Sequence, residues 1–373
     1  MSPPTEQRQI EILLKVQRLL SEGVFVASYK YALVLAIADL AVERGDDSGA
    51  PLLLPITAIA EQFIRIYWRQ AREYVSGTSR AEVAAGPLRA AEAQPAYGTK
   101  SAVLRQSSGS QAAILNDIRE ASISKQGSLA ELRRDGSAWA RLVNRVASTV
   151  EKMPLWKLQT IGDSDDEFLY DNRRGAKVRS IELKAGVAFT LRRFHGFIEE
   201  LVRGGWARFV AGLRENKLIL GEAEDLYAFL FGNERASLEP YVPILLDVQD
   251  GACFYCRGSL VRKSGHVDHF IPWARYPVDL AHNFVLAHGA CNEAKSNILA
   301  AYDHLQRWTI RNLDHARTLE SEFGAKRLFH DLSASRAITR WAYELAEQSR
   351  SRVWQKESHL VDLDARWHLL PGL

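Results

Sequence analysis

"CFYCRGSLVRKSGHVDHFIP" occupies residues 253–272 and holds two of the chain's three cysteines, Cys253 and Cys256. The third, Cys291, stands three positions after His288, so every thiol of the 373-residue chain falls in one short window. Cys253-x2-Cys256 and His288-x2-Cys291 form two two-ligand knuckles. Four soft or borderline donors in that arrangement predict a tetrahedral structural zinc. His266 and His282 are rival fourth ligands, but neither forms an x2 knuckle with a cysteine, and His288 is preferred. So few cysteines, so clustered, suit a reducing compartment and a metal better than a disulfide scaffold.

Around this window the totals are those of a globular protein: 47% hydrophobic, 25% charged, net charge +3. That mild positive balance permits nucleic-acid binding without arguing for it. The length suits two domains, or one core with large insertions. The amino terminus "MSPPTEQRQIEI" has neither a basic start nor an apolar signal core, and no apolar run reaches a membrane span. The expectation is a cytoplasmic protein with no membrane partner.

Periodicity makes the rest mainly α with small β insertions. Residues 7–22, 29–44 and 57–74 read as helices. The second is apolar almost all round and should be buried, with Ser28 as its cap. Residues 77–100, rich in Ala, Gly and Pro, read as a long connection or partly helical insertion, and 110–121 and 137–152 as helices. "WKLQTI", the turn "GDSDD" and "EFLYDN" read as a β-hairpin, with "VRSIELK" as a third strand, all within 155–183. Residues 185–215 return to helix, interrupted near Gly204–Gly205. A short helix over 240–250 leads into the cysteine window. Beyond residue 297 the pattern is helical throughout, over 298–312, 316–322 and 335–354. Three regions follow: a mainly helical region expected to serve recognition or regulation (1–240), a core around the cysteine window (241–300), and a helical extension packing on that core (301–373).

Around the knuckles lie "HVDHFIP" and "DLAHNFVLAHGACNEAKSN". Over residues 242–299 the sequence resembles the HNH endonuclease family, which would make 241–300 a nuclease core. Its ββα-metal motif closes the first strand with Asp-His, continues through a loop containing Asn, and ends in a second strand and a helix bearing Asn or His. Asp268-His269, Asn283 and Asn292-x2-Lys295 match those places in order, with the zinc knuckles as a staple. Asn292 stands where His also occurs, and His288 where Cys is commoner. The resemblance implies hydrolysis of phosphodiester bonds in nucleic acid, DNA being the expected substrate, in a restriction or anti-phage defence setting. It also implies that Asp268 and Asn292 offer oxygens to a catalytic Mg2+ or other divalent cation, and that Asn283 bonds the loop backbone and steadies the His269 ring.

Residue chemistry agrees. Phosphodiester hydrolysis needs a base near neutral pH, which His269 can supply, and a cation to stabilise charge on the phosphate. Lys295 is expected to meet phosphate. Arg262, Lys263, Trp273, Arg275, Tyr276, Arg307 and Arg311 suggest a phosphate-tracking surface, and "NRRGAKVR" (172–179) a second patch. The region ahead of the core is expected to choose the target, or to bind a protein partner or a second copy of the chain. The competing reading is a zinc-stapled nucleic-acid-binding or scaffold protein without catalysis. It explains the four zinc ligands but leaves Asp268, His269 and Asn292 as coincidences.

Overall fold

The computed structural model describes residues 2–75, 101–109, 111–125, 127–161, 164–172, 178–220, 224–232, 237–260 and 265–373. The segment 77–100, residues 173–177 of the second basic patch, and Arg262 and Lys263 lie outside the described residues. The chain divides into two units, Met1–Glu234 and Arg235–Leu373. Both are mainly α, with strands confined to two-stranded antiparallel sheets among the described residues. No helix among them is long and apolar enough to cross a membrane.

The first unit is built around α2 (Tyr29–Arg44), which follows α1 (Glu6–Glu22). As its sequence predicts, α2 is buried on nearly every side. It is surrounded by α3 (Ile56–Tyr67), α6 (Val187–Arg193) and α7 (His195–Gly212). Further out, α4 (Ala113–Ser124) packs on α5 (Gly136–Lys152), and α5 on α3. The one acid inside α2's apolar run, Asp39, is paired with Arg65 at 2.7 Å and His195 at 2.8 Å, which is what lets a carboxylate be buried. Ser28 stands at the helix start but does not cap it: its hydroxyl lies 2.6 Å from the Tyr67 hydroxyl instead. At the other end the buried Arg192 donates to the carbonyls of Val42 and Gly45 and shares that of Ala41 with the Gly45 N–H, helping to satisfy the acceptors of the last turn.

Three further expectations in this unit are corrected. The third helix ends at Tyr67, and a short strand at Tyr74–Val75 follows. The hairpin shrinks to Thr160–Ile161 paired with Ser164–Asp165. Its sequence is taken up otherwise: Pro154 opens a helical turn, and the buried Gln159 side chain bonds the backbone of Leu169 and Tyr170 where a strand partner would. The predicted third strand, β2 (Ser180–Leu183), pairs with β1 (Leu52–Pro55), Leu54 facing Ile181. Finally, α7 runs unbroken through Gly204 and Gly205. A Cβ at Gly205 would sit 2.9 Å from the Tyr31 ring. Glycine is there for close packing, and the break falls at Phe194 instead.

The second unit opens with α8 (Val242–Val248). Strand β3 (Gly265–His269) pairs antiparallel with β4 (Phe284–His288), Asp268 opposite Val285 and His269 opposite Phe284. Helix α9 (Gly289–Lys295) follows at once. Next come α10 (Tyr302–Asp314), α11 (Ala316–Ala325) and α12 (Leu332–Gln348). The carboxy-terminal region is not wholly helical. The expected 335–354 helix stops at Gln348, and β5 (Val353–Lys356) pairs with β6 (His359–Val361). Trp354 is bonded through its backbone to Leu299 and Ala301, so this hairpin is tied to the chain leaving α9. The buried Trp308 stacks on Phe270 at 5.4 Å, giving α10 and the β3 end a common core.

Candidate functional site

The residues from Cys253 to Gly258 form a tight turn. The Cys253 N–H donates to the Gly258 carbonyl, the Arg257 N–H to the Cys253 carbonyl, and Arg257 takes a left-handed φ of 64°. A Cβ on Gly258 would press on His288 and on the Cys256 sulfur. The turn is moored to β4 through Gln249, which is buried. Its amide donates to the Leu286 carbonyl and accepts from the Leu286 N–H, replacing a strand partner, while Phe254 N–H reaches the same carbonyl. Nothing in the sequence marked Gln249 for this task.

Across from the turn, the end of β4 and the start of α9 bring in His288 and Cys291. The ligand atoms of Cys253, Cys256, His288 and Cys291 all lie within 4.8 Å of one another, a group that can hold a metal ion such as zinc. His288 turns Nδ1 toward Cys256 Sγ at 3.3 Å, and its Nε2 lies 3.2 Å from the Ser259 carbonyl. An Nε2–H donated there leaves Nδ1 with its lone pair free to ligate, the usual outer support of a ligating histidine. Burial and the neighbouring thiols push Cys291 up to about 12. For Cys253 burial works in the same upward direction, but the backbone N–H groups of Cys256 and His288 outweigh it and the net shift is downward. Thiols this crowded resist ionising together, and a divalent cation would relieve that. The rivals fall away: His266 is exposed, and His282 is buried in the core apart from this group.

One strand back, Asp268 and His269 take opposite faces of β3, as neighbouring strand residues must. Asp268 Oδ2 accepts from the Tyr255 hydroxyl at 2.6 Å and faces the Lys295 ammonium at 3.0 Å. Burial, reinforced by that carboxylate, holds the Tyr255 phenol well above its ordinary pKa, so it stays a donor. Lys295 is 0% exposed and donates also to the His269 carbonyl. Burial lowers its pKa, and Asp268 opposes the shift. This corrects the expectation that Lys295 meets phosphate, because its ammonium is spent inside the fold. On the other face His269 Nε2 lies 2.8 Å from Asp279 Oδ1, with the Trp273 and Phe284 rings edge-on around the imidazole. Asp279, ten positions on in an irregular loop, belongs to none of the motif places quoted above.

Asn283 uses both amide atoms on one residue: Oδ1 accepts from the Ile271 N–H at 2.8 Å and Nδ2 donates to its carbonyl at 3.0 Å. The chain leaving His269 is thereby fixed to the chain entering β4. Asn292 is half-buried one turn before Lys295 on α9. Of the expected phosphate contacts, Arg311 is buried and donates to the Phe284 and His282 carbonyls, and Arg307 donates to the Phe254 carbonyl. Both serve the fold. Tyr276 is buried against Trp341. Arg275 is different. It is half-buried, and its Nε has no hydrogen-bond partner among the described residues.

Fold and site together define a mainly helical protein whose second unit carries a Cys3His metal-binding group beside a buried Asp-Lys pair and an Asp-His pair. The chain belongs to the family described as Domain of unknown function (DUF8808), which it matches over residues 9–230. That span lies within the first unit and stops short of the cysteine window. No curated protein matches the chain.

Proposed function

We propose that the second unit is a metal-dependent endonuclease acting on nucleic acid, with His269 as general base. The observation that carries this reading is the His269–Asp279 pair at the end of a strand stapled to the Cys3His group. An ionised Asp279 can only accept, so Nε2–H donates to it and Nδ1 carries the lone pair that takes a proton from the attacking water. Asp279 also fixes the ring's orientation and offsets the charge that forms on it. Asn283 keeps the strand end rigid through Ile271, and Lys295 holds the His269 backbone. Arg275, half-buried in the loop after Trp273, is assigned the phosphate-binding task expected of Lys295.

Cys253, Cys256, His288 and Cys291 would hold a structural zinc, which contributes folding free energy on the order of 10 kcal/mol in small finger peptides. For Mg2+ the donor types fit: Asp268 keeps Oδ1, Asn292 offers an amide oxygen, and Mg2+ accepts water for most of its shell. When bound there it would stabilise negative charge on the phosphate and the leaving oxygen. DNA as substrate and restriction or anti-phage defence as setting rest on the family resemblance alone.

One observation favours the competing reading of a zinc-stapled binding or scaffold protein without catalysis. The Lys295 and Tyr255 contacts already give Asp268 a structural task. Plasmid nicking with Mg2+ against EDTA separates the two readings. Loss of a general base costs about 100- to 10,000-fold in rate, so His269→Ala should be folded, zinc-loaded and nearly inactive, whereas Cys256→Ser should lose zinc and the fold of the second unit. Cleavage by His269→Ala at the wild-type rate would exclude this site as the nuclease centre.

A further inference from the structure

The first unit holds a cavity of about 1000 Å³ that the proposed chemistry does not use. Its floor is the outward face of the β1–β2 sheet. Leu54 and Ile181 form a buried cross-strand pair, so the next pair along, Leu53 and Glu182, points the other way. Both are exposed, Leu53 at 59%. The end of α5 forms a wall with Ser148, Glu151 and Lys152, which share one helical face. The helical turn that follows adds Leu155 and Trp156. Asp171 and Lys184 complete the charged lining among the described residues.

These charges are unevenly used. Lys184 is paired with Asp171 at 2.8 Å. Glu151 gives one carboxylate oxygen to the Val178 N–H at 2.7 Å and keeps the other. Glu182 and Lys152 have no partner among the described residues. Three carboxylates thus stand against two ammonium groups, and Glu151 lies in the last turn of α5, where the helix dipole is itself negative. Such a lining repels phosphate and other anions and favours a cation. A metal ion does not fit: among the described residues only the Cys3His group brings enough ligand atoms together. Leu53, Leu155 and Trp156 instead suit an organic cation, whose stem gains from burial and whose charge gains from the aromatic ring. The unpaired Lys152 calls for a carboxylate on the same ligand.

We infer that this cavity binds a basic amino acid, its two cationic groups meeting Glu182 and Glu151 and its carboxylate meeting Lys152. The cavity lies within the first unit, and the inference does not depend on nuclease activity. The test is calorimetric titration of the full chain with L-arginine, with L-citrulline, whose ureido group is neutral but of similar shape, and with agmatine, which lacks the carboxylate. Arginine should bind saturably. Loss of one charged hydrogen-bonded contact weakens binding about tenfold or more, and citrulline should bind that much more weakly. Glu182→Gln, on the exposed strand face, should keep the wild-type melting temperature and bind arginine about tenfold more weakly. Lys152→Gln should weaken arginine several-fold and agmatine not at all. No saturable heat with arginine, equal binding of citrulline, undiminished arginine binding by Glu182→Gln, or equal losses of arginine and agmatine in Lys152→Gln would each overturn the inference.

Discussion

The Lys295 ammonium lies 3.0 Å from the Asp268 carboxylate and 3.0 Å from the His269 carbonyl, with no exposed surface. At i+3 from Asn292 the motif invites a phosphate-binding lysine, and the short helix instead aims this one into the core. A buried ion pair gains little over an apolar pair, but removing one partner strands the other charge, at about 3–5 kcal/mol. Lys295→Met should therefore destabilise the second unit by that amount in urea unfolding, far more than loss of a surface phosphate contact. Asp268→Asn combined with Lys295→Met should recover most of it, because the remaining amide can still accept from Tyr255. A Lys295→Met protein as stable as the wild type would mean the ammonium is hydrated rather than paired.

Among the elements, α7 shows most clearly how a local signal can mislead. Two adjacent glycines suggest a helix break, but only their surroundings tell them apart. A Cβ at Gly205 would meet the rigid Tyr31 ring at 2.9 Å, whereas one at Gly204 would meet only the flexible end of Arg208 at 3.4 Å. Gly205→Ala should cost about 1–3 kcal/mol by overpacking, and Gly204→Ala should stabilise by up to about 1 kcal/mol through helix propensity. Equal effects at the two positions in denaturant titrations would contradict the assignment. The same contrast explains what the sequence disclosed. The all-apolar α2 and the paired knuckles are local patterns with one physical solution, and both were legible. Three features had no such pattern: the hairpin residues, whose pairing Gln159 supplants; the β5–β6 hairpin, whose strands follow a helical stretch; and Asp279, whose partner stands ten positions away. The first and last rest on single side-chain contacts ten positions apart, and β5 is held by the ties of Trp354 to Leu299 and Ala301; none of these leaves a periodic pattern.

Across the whole molecule, the family match and the metal group fall in different units. The second unit has its own aromatic core in Phe254, Phe270, Phe284 and Trp308, and at residues 235–373 it exceeds the length below which domains become marginal. It should therefore fold alone once zinc is bound. On the proposed reading Arg275 is the cation assigned to phosphate, since Lys295, Arg307 and Arg311 are turned to carboxylate or backbone partners. One guanidinium can hold a phosphate but cannot read a sequence, for phosphate contacts position and base contacts specify. On the proposed nuclease reading, choice of target would fall to the DUF8808 unit. A protein lacking residues 1–234 should retain zinc and show weak cleavage with a shallow salt dependence and no preference among plain, modified and phage DNA. The full chain should prefer one of them and lose affinity more steeply with salt. Identical preference and rate in the two proteins would remove the first unit from substrate selection and leave it a partner-binding or regulatory role.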